Sequence, residues 1–499
     1  MRRITKNLVV FLLIACAGLT AFASGQGEKK ADTLTFYWPG NTPRELDAVL
    51  SQVDGRIKDS INAKIVFNFI PWGDYFNKIR ALQAAGDSYE CNFDGDWGGI
   101  PTLLPQGAYL GVDKLVPKYA PTIWKRVPKE VWDGCKYNGE IVAVPWLWPK
   151  SEKRFIHIRQ DLYKKYGLKE FDTLKGDIFT LDDYEKFLEK VKQNEPTMFG
   201  LAPDYAWITW FAYIDGYCFL SPQWNIVYKR NDPEMKLIDL EKTDFYKQML
   251  IRMHRWYVNG YFEKDVLAEK EDYKTLMIVG KAASIVHVFD GWNEINMQVK
   301  PAHPDWEIKT YVLSGDKVGP LAHPMNNSLM FNRRGKNPEK AMAFWEWVHK
   351  SQDNYDLLLY GIKGKHWVET ADGKVSIPKP YSMSDSPYYG WHGRWAAWWP
   401  ELERSTVDDL PNWKELTIKH VYNDKMLPHI GFYPDLAPIK NELAARFSLK
   451  QNQGLALEFG VTDPKTGYDD YIAAQKAAGV DKVIEELQKQ LDAWRTSKK

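Results

Sequence analysis

Six consecutive residues, Asp94-Gly95-Asp96-Trp97-Gly98-Gly99, put two carboxylates and an indole into one glycine-rich turn. A carboxylate accepts strong charge-assisted hydrogen bonds from paired hydroxyls, and an indole offers a flat apolar face with a polar edge. Together they suit a ligand with hydroxyls on its rim and C–H groups on its faces. Other places in the chain repeat the theme. Trp38 stands before Pro39-Gly40, Trp72 follows Pro71, Trp146 and Trp148 flank Leu147, and Asp290-Gly291-Trp292 pairs an acid with an indole again. The candidate ligand contacts are therefore Trp38, Trp72, Asp94, Asp96, Trp97, Trp146, Trp148, Asp290 and Trp292. Each has a competing role as core packing or, for the acids, as a turn or helix cap.

The same turn could serve a glycoside hydrolase, which needs two opposed carboxyl groups. Two Asp at i and i+2 of a turn usually diverge, and no further acid is spaced to oppose them. The chain has no G-x-S-x-G, no H-E-x-x-H and no phosphate-binding loop. The middle of the chain lacks the regular strand–helix units of a (β/α)₈ barrel. His287, inside an apolar run, reads as a core histidine rather than a metal ligand. No catalytic residue, metal or cofactor is expected. A third class, a binding module for a non-sugar solute such as a peptide, would use the same fold.

The elements that must position these residues alternate. Residues 33–38 read as a strand and residues 43–61 as a helix with Leu46, Val49, Leu50, Val53, Ile57 and Ile61 on one face. Residues 64–70 read as a strand, 73–85 as a helix and 90–93 as a third strand. Such an alternation implies right-handed crossovers and a largely parallel sheet, whose ligands sit beyond the carboxyl ends of the strands. Trp38, Trp72 and the 94–97 turn all fall at those ends. Further on, Asn138-Gly139 reads as a turn, 155–158, 281–289 and 307–313 as strands, and 161–166 as a helix. Thr180 caps a helix over 181–194, Asn337 caps one opened by Pro338, and residues 479–494 close the chain with an apolar helical stripe.

Composition narrows the class. The chain has 66 basic and 65 acidic residues; Met1 to Ala23 contributes Arg2, Arg3 and Lys6 and no acid, so the remainder carries a net charge of −2. That balance argues against nucleic acid as a partner. The 499 residues imply more than one domain. Aromatics make up 14% of the chain, with 22 Trp and 27 Tyr, which favours amphipathic ring surfaces. A basic start, an apolar run from Leu8 to Phe22 and a small-residue end read as an export signal, too short for a membrane span. Two processing readings stand open. Cleavage after Ala23 (Ala21-Phe22-Ala23) is favoured, and Leu13-Ile14-Ala15-Cys16 offers the alternative of lipidation at Cys16. The protein is thus expected in the periplasm or outside the cell. Cys91, Cys135 and Cys218 then remain, an odd number without metal or disulfide spacing; a Cys91–Cys135 bridge and buried free thiols both remain open.

Several motifs, in order, carry a resemblance. They are Pro71-Trp72-Gly73-Asp74-Tyr75, Gly95-Asp96-Trp97, Gly107-Ala108-Tyr109-Leu110, Asn138-Gly139-Glu140-Ile141-Val142-Ala143-Val144-Pro145, Tyr360-Gly361-Ile362-Lys363-Gly364-Lys365-His366-Trp367, Gly431-Phe432 with Ala437-Pro438-Ile439-Lys440, and Ala477-Ala478-Gly479-Val480 through Trp494. The chain resembles extracellular solute-binding proteins of the maltose-binding-protein-like class of ABC sugar importers, nearest the LipO-like lipoprotein branch. The resemblance implies an α/β, type II periplasmic-binding-protein-like fold, with two α/β lobes, a hinge and an interlobe cleft. It implies an N-lobe of residues 33–147 plus 315–365 and a C-lobe of 148–314 plus 366–499, after a signal peptide (1–23) and a linker (24–32). It also implies a monomer that carries a small-molecule ligand, a carbohydrate and most plausibly an oligosaccharide, to ABC permease membrane subunits by hinge closure. One departure stands out: the branch is named for lipoproteins, while the apolar core ahead of Cys16 is short.

Overall fold

In this computed structural model the described residues are 30–145, 155–202, 207–221, 224–268, 273–288, 291–313, 320–321, 323–382, 385–389, 399–411, 413, 415–416 and 425–497. Residues 1–29, with the expected export signal and Cys16, and Trp146, Trp148 and Asp290, lie outside them.

The first lobe starts with the expected alternation. Strand β1 (Asp32–Pro39), helix α1 (Leu46–Ile57), strand β2 (Ala63–Ile70), helix α2 (Trp72–Ala85) and strand β3 (Cys91–Asp94) follow in order. β1 pairs in parallel with β2 from Asp32↔Ala63 to Pro39↔Ile70 and with β3 at Phe36↔Cys91. α1 buries Leu46, Val49, Leu50, Val53 and Ile57, an i, i+3, i+4, i+7, i+11 stripe that can only face one side. It stops four residues short of the sequence expectation, and Asn62 turns the chain through a positive φ of 50°. α2 ends at Gly86 (φ 79°), whose backbone N–H bonds back to the Gln83 and Leu82 carbonyls, a left-handed cap that glycine adopts without strain.

The sheet is completed from far away in sequence. Strand Ser328–Phe331 pairs antiparallel with β3 (Ser328↔Asp94 to Phe331↔Cys91), and Val144–Pro145 pairs on its other side at Ser328↔Pro145. Because Ser328–Phe331 runs backwards, its leading loop stands at the carboxyl ends of the parallel strands. The chain leaves Pro145 at that same edge. Helix Pro338–His349 then packs Phe344 and Trp345 against Phe36 in β1. Pro338 sits in its first turn as expected, but Asn337 makes no side-chain capping bond, so that cap is corrected.

The second lobe is built on an antiparallel three-stranded sheet with Phe155–Arg159 in the middle, Ser284–His287 on one side and Ile308–Val312 on the other. His157 lies buried there. Its Nε2 faces the Val288 carbonyl (3.0 Å), which can only accept, so Nδ1 accepts from the Thr310 hydroxyl (2.7 Å). Helix Leu181–Asn194 has the expected Thr180 cap, completed into a reciprocal capping box by Asp183. The strand expected over 281–289 is shorter, and His287 is its half-buried last residue rather than a core histidine. The chain ends in helices Lys440–Leu449, Pro464–Ala477 and Val480–Ser497; the last buries Val480, Val483, Leu487 and Leu491.

Two main cores confirm two lobes. The first joins residues from β1 to Val144 with Met325–Tyr360, and continues through Trp367, Val375, Tyr388, Trp399 and Trp413. Past the expected N-lobe boundary at 365, Trp367, Val375, Tyr388, Trp399 and Trp413 join this cluster, as do Phe155 and Val312 from the other side. The second lobe's cores draw on residues 156–313 and 427–491. The chain crosses between the lobes after Pro145, between Leu313 and Met325, and between Trp413 and Leu427. Two of these crossings lie side by side, Pro320–Leu321 in parallel with Lys425–Met426. Cys91, Cys135 and Cys218 are all buried free thiols, which settles the bridge question against a disulfide.

Candidate functional site

The carboxyl edge of the first lobe's sheet gathers the turn after β3, the start of α2 and the loop before Ser328. Asp94 is fully buried. One carboxylate oxygen accepts from the Gly95 and Gly99 backbone amides (2.7 Å each), and the other takes the Tyr109 hydroxyl. Burial pushes its pKa up to about 6 against the pull of those donors. Asp94 is the scaffold of the turn rather than a ligand contact, a correction to its sequence assignment. The close packing also explains the glycines: a Cβ on Gly99 would come within 2.7 Å of the Asp94 carboxylate, and one on Gly98 within 2.4 Å of the Phe76 ring.

Asp96 and Trp97 face outward from the same turn. Asp96 is half-buried; its amide donates to the Met325 carbonyl (3.0 Å) and its carboxylate accepts from Asn326 Nδ2 (3.1 Å). Trp97 is 39% exposed. Its Nε1 donates to the Asn326 carbonyl (2.6 Å) and approaches Asn327 Oδ1 (3.1 Å). The inner part of the ring packs on Phe76 (centroids 5.2 Å, edge-on), Phe93 (6.2 Å) and Trp72 (6.0 Å). An indole tethered at its edge and supported from below presents a fixed face, which lowers the entropy cost of binding against it. Asn326 Oδ1 is buried and has no hydrogen-bond partner among the described residues. Because Nδ2 is committed to the Asp96 carboxylate, that oxygen is an acceptor the described residues leave unfilled.

The other sequence candidates divide. Trp72 opens α2 and is half-buried, bracing Trp97 and meeting Phe93 edge-on at 5.8 Å. Trp38 is fully buried among Phe67, Phe93 and Trp345 at 5.8–6.0 Å. Its side of β1 faces the helix Pro338–His349, so Trp38 is core and is withdrawn as a contact. Trp292 lies in the first turn of helix Gly291–Ala302 and is half-buried, packed against the first core and against one in the second lobe. Its Nε1 donates to the Ile308 carbonyl (2.9 Å). Beside it, Asn293 Nδ2 donates to Asp409 Oδ1 (2.6 Å) and Asn293 Oδ1 accepts from the Leu410 amide (2.8 Å), tying a second-lobe helix to a first-lobe segment. Trp146, Trp148 and Asp290 are not among the described residues, although Pro145 delivers the chain to this edge.

Asn326 and Asn327 were missed by sequence reasoning. Their only local signal is a polar pair ahead of a buried strand, and nothing nearby in sequence links them to Asp96. A second set of missed residues joins the lobes near the crossing strands. His323 Nδ1 accepts from the Met325 amide (3.0 Å), so its Nε2 carries the proton and donates to the Tyr433 hydroxyl (3.1 Å), which donates onward to the Gly134 carbonyl (3.1 Å). Nearby, His429 Nδ1 meets the Tyr228 hydroxyl at 2.8 Å; burial lowers the His429 pKa to about 4. Both imidazoles are thus neutral at ordinary pH.

This geometry can hold a polar, ring-bearing solute. Among the described residues no group of His, Cys, Asp and Glu could hold a metal ion, and no helix is long and apolar enough to cross a membrane.

Comparison with known proteins agrees with the architecture. Residues 60–353 match the family model described as bacterial extracellular solute-binding protein, and residues 428–496 match a domain of unknown function, DUF3502. A carbohydrate ABC transporter substrate-binding protein of Streptococcus pneumoniae serotype 4 is 23% identical over 508 residues, covering 98% of this chain and 96% of that protein. Among solved structures, the N-glycan transport solute binding protein of S. pneumoniae superposes with a TM-score of 0.78 at 19% identity, over 94% of this chain and all of that one. An HMO binding, ABC-transporter-associated solute binding protein of Bifidobacterium longum infantis gives 0.68 at 14% identity, over 93% and 99%.

Proposed function

The chain belongs to the bacterial extracellular solute-binding protein family, and from that premise we propose that it captures a carbohydrate, an oligosaccharide by preference, in the interlobe cleft and delivers it to an ABC permease. The observation that carries this reading is the Trp97 face. It is an exposed indole locked at its edge by Asn326 and Asn327, with the half-buried Asp96 in the same turn. A pyranose would lay its C–H face on the ring and direct hydroxyls to the carboxylate. The names of similar proteins, a carbohydrate ABC transporter substrate-binding protein and an N-glycan transport solute binding protein, point the same way.

Trp72 supports the ring from beneath, and Trp292 stands where the two lobes meet. Trp146, Trp148 and Asp290 are proposed to complete the cleft from the crossing after Pro145 and from the end of strand Ser284–His287. The three crossings form the hinge, and closure over the ligand supplies the form recognised by the permease. The protein acts as a monomer outside the cytoplasmic membrane, exported by residues 1–23 or held there through Cys16. A hydrolase is disfavoured by Asp94, whose carboxylate is buried and fully engaged in the turn.

A thermal-shift screen against mono- and oligosaccharides, with short peptides as contrast, tests the reading. A ligand present at 100 times its Kd adds about 2.7 kcal/mol of stability. A selective rise in Tm with one sugar class, and no turnover of it, is expected. A flat response to all sugars with a rise for peptides would overturn the carbohydrate assignment, and cleavage of a sugar would restore the hydrolase reading.

A further inference from the structure

Away from the cleft, the second lobe contains a pocket of about 290 Å³. It lies between Trp224–Asn225, the turn Leu240–Lys242, and helices Lys440–Leu449 and Pro464–Ala477. Much of its wall comes from residues 436–475, inside the stretch that matches a domain of unknown function. Four of its polar residues are at least 95% buried: Asn225 (2% exposed), Glu241 (1%), Arg446 (5%) and Gln475 (1%).

Each of the four keeps one atom without a hydrogen-bond partner among the described residues. Asn225 Nδ2 donates to Glu241 Oε1 (2.8 Å), and a carboxylate can only accept, so Asn225 Oδ1 is the atom left over. Gln475 Nε2 donates to the Tyr471 hydroxyl (2.8 Å) and toward the Arg446 carbonyl (3.4 Å), which leaves Gln475 Oε1. Glu241 Oε1 also accepts from Tyr471 (2.9 Å), while its Oε2 is 3.8 Å from the nearest Arg446 nitrogen, too far for a hydrogen bond. Arg446 Nη2 donates to the Trp224 carbonyl (3.2 Å), and Nη1 remains. Unpaired buried polar atoms are uncommon in folded proteins; here three acceptors and one donor belong to residues that line one pocket.

The mixture selects the ligand chemistry. A cation would meet Arg446, Lys440 and Lys450, and an anion would meet the oxygens of Asn225, Glu241 and Gln475. A hydroxyl satisfies both kinds of atom, since it donates to an oxygen and accepts from an N–H. Trp224 and the 56%-exposed Phe447 supply apolar faces at the same pocket. The volume is at the bottom of the range for small-molecule sites, which suits one ring rather than a chain. We propose that this pocket is a second binding site, separate from the cleft, for a single neutral polyhydroxylated ring such as a monosaccharide. The proposal does not depend on what the cleft binds.

Saturation-transfer NMR on the full chain, with mannose and with N-acetylglucosamine as separate probes, tests it. Ala444 is exposed on the pocket wall, so Ala444→Trp fills the space without touching the buried network; Phe447→Ala is the milder second variant. The expected result is ring-proton transfer from at least one probe in the unmodified protein and in Trp97→Ala. That signal is at least tenfold weaker in Ala444→Trp, or in Phe447→Ala if the first variant does not fold. The proposal is overturned if neither probe gives a signal, if the signal disappears in Trp97→Ala, or if it persists undiminished when the pocket is altered.

Discussion

Replacing Trp97 by Ala separates the two jobs that the structure gives this ring. The exposed part is 39% of the residue, and a Trp side chain buries up to about 250 Å², so about 100 Å² is open to a ligand. At about 25 cal/mol per Å², complete cover of that face contributes at most about 2.5 kcal/mol. A sugar ring covers it incompletely, and about 1.4 kcal/mol corresponds to tenfold in affinity. Trp97→Ala is therefore expected to weaken Kd for the selected sugar about tenfold by isothermal titration calorimetry. The packed part of the ring, against Phe76, Phe93 and Trp72, is lost too. Truncating a fully buried aromatic costs about 3–5 kcal/mol, and this half-buried one is expected to cost about 2 kcal/mol in denaturant unfolding. Trp97→Phe retains much of the packing but loses both edge bonds, so it should recover most of the stability and only part of the affinity. A Trp97→Ala protein that loses stability but holds sugar within threefold of the original would refute the reasoning, because the ring would then be packing alone.

Asp96→Ala removes a charge-assisted acceptor from a half-exposed turn. Sugar binding is expected to weaken by about 1.5–3 kcal/mol, with Tm nearly unchanged; calorimetry and a melting curve check the two halves. Asp94 has a native pKa raised to about 6 by burial, so its contribution to stability is present at low pH and is lost as pH rises from about 4 to about 6. His157 and His429 are lowered to about 4 by burial, so their contribution is present above about 6.5 and is lost as pH falls toward 4. Across that window Asp94→Asn should tilt the stability profile more steeply upward with pH, by about 3 kcal/mol end to end; urea titrations at stepped pH would expose an unchanged slope. Thr180→Ala removes the reciprocal cap of helix Leu181–Asn194, for an expected loss of about 1 kcal/mol and no change in sugar affinity. A matching loss of affinity would place that helix in the binding machinery.

The first lobe was legible because its signals are local. Alternating β-branched runs and an i, i+3, i+4 stripe specify β1 to β3 and the helices between them, and parallel order then places the 94–97 turn at a ligand edge. Which side chains turn outward at that edge was not legible. Asp94 and Asp96 are two residues apart in one turn, yet one is buried under Tyr109 and the other opens toward Asn326. That choice depends on a strand contributed from more than 230 residues away. Trp38 failed for the same reason: period-2 alternation gives its face of the sheet but not the helix Pro338–His349 that covers it. Trp367, Val375, Tyr388, Trp399 and Trp413 join the first core by packing alone, which no local pattern marks. Asn326, Asn327, His323 and Tyr433 come together only through the crossings, which no local pattern predicts.

Small-angle X-ray scattering of the mature protein, with and without a saturating amount of the sugar chosen by the thermal screen, addresses the central claim most directly. Capture by hinge closure predicts a smaller radius of gyration with sugar, and about half that change in Trp97→Ala when both are measured at about ten times the original Kd. An unchanged radius at proven saturation would contradict it, since the ligand would then bind without drawing the lobes together.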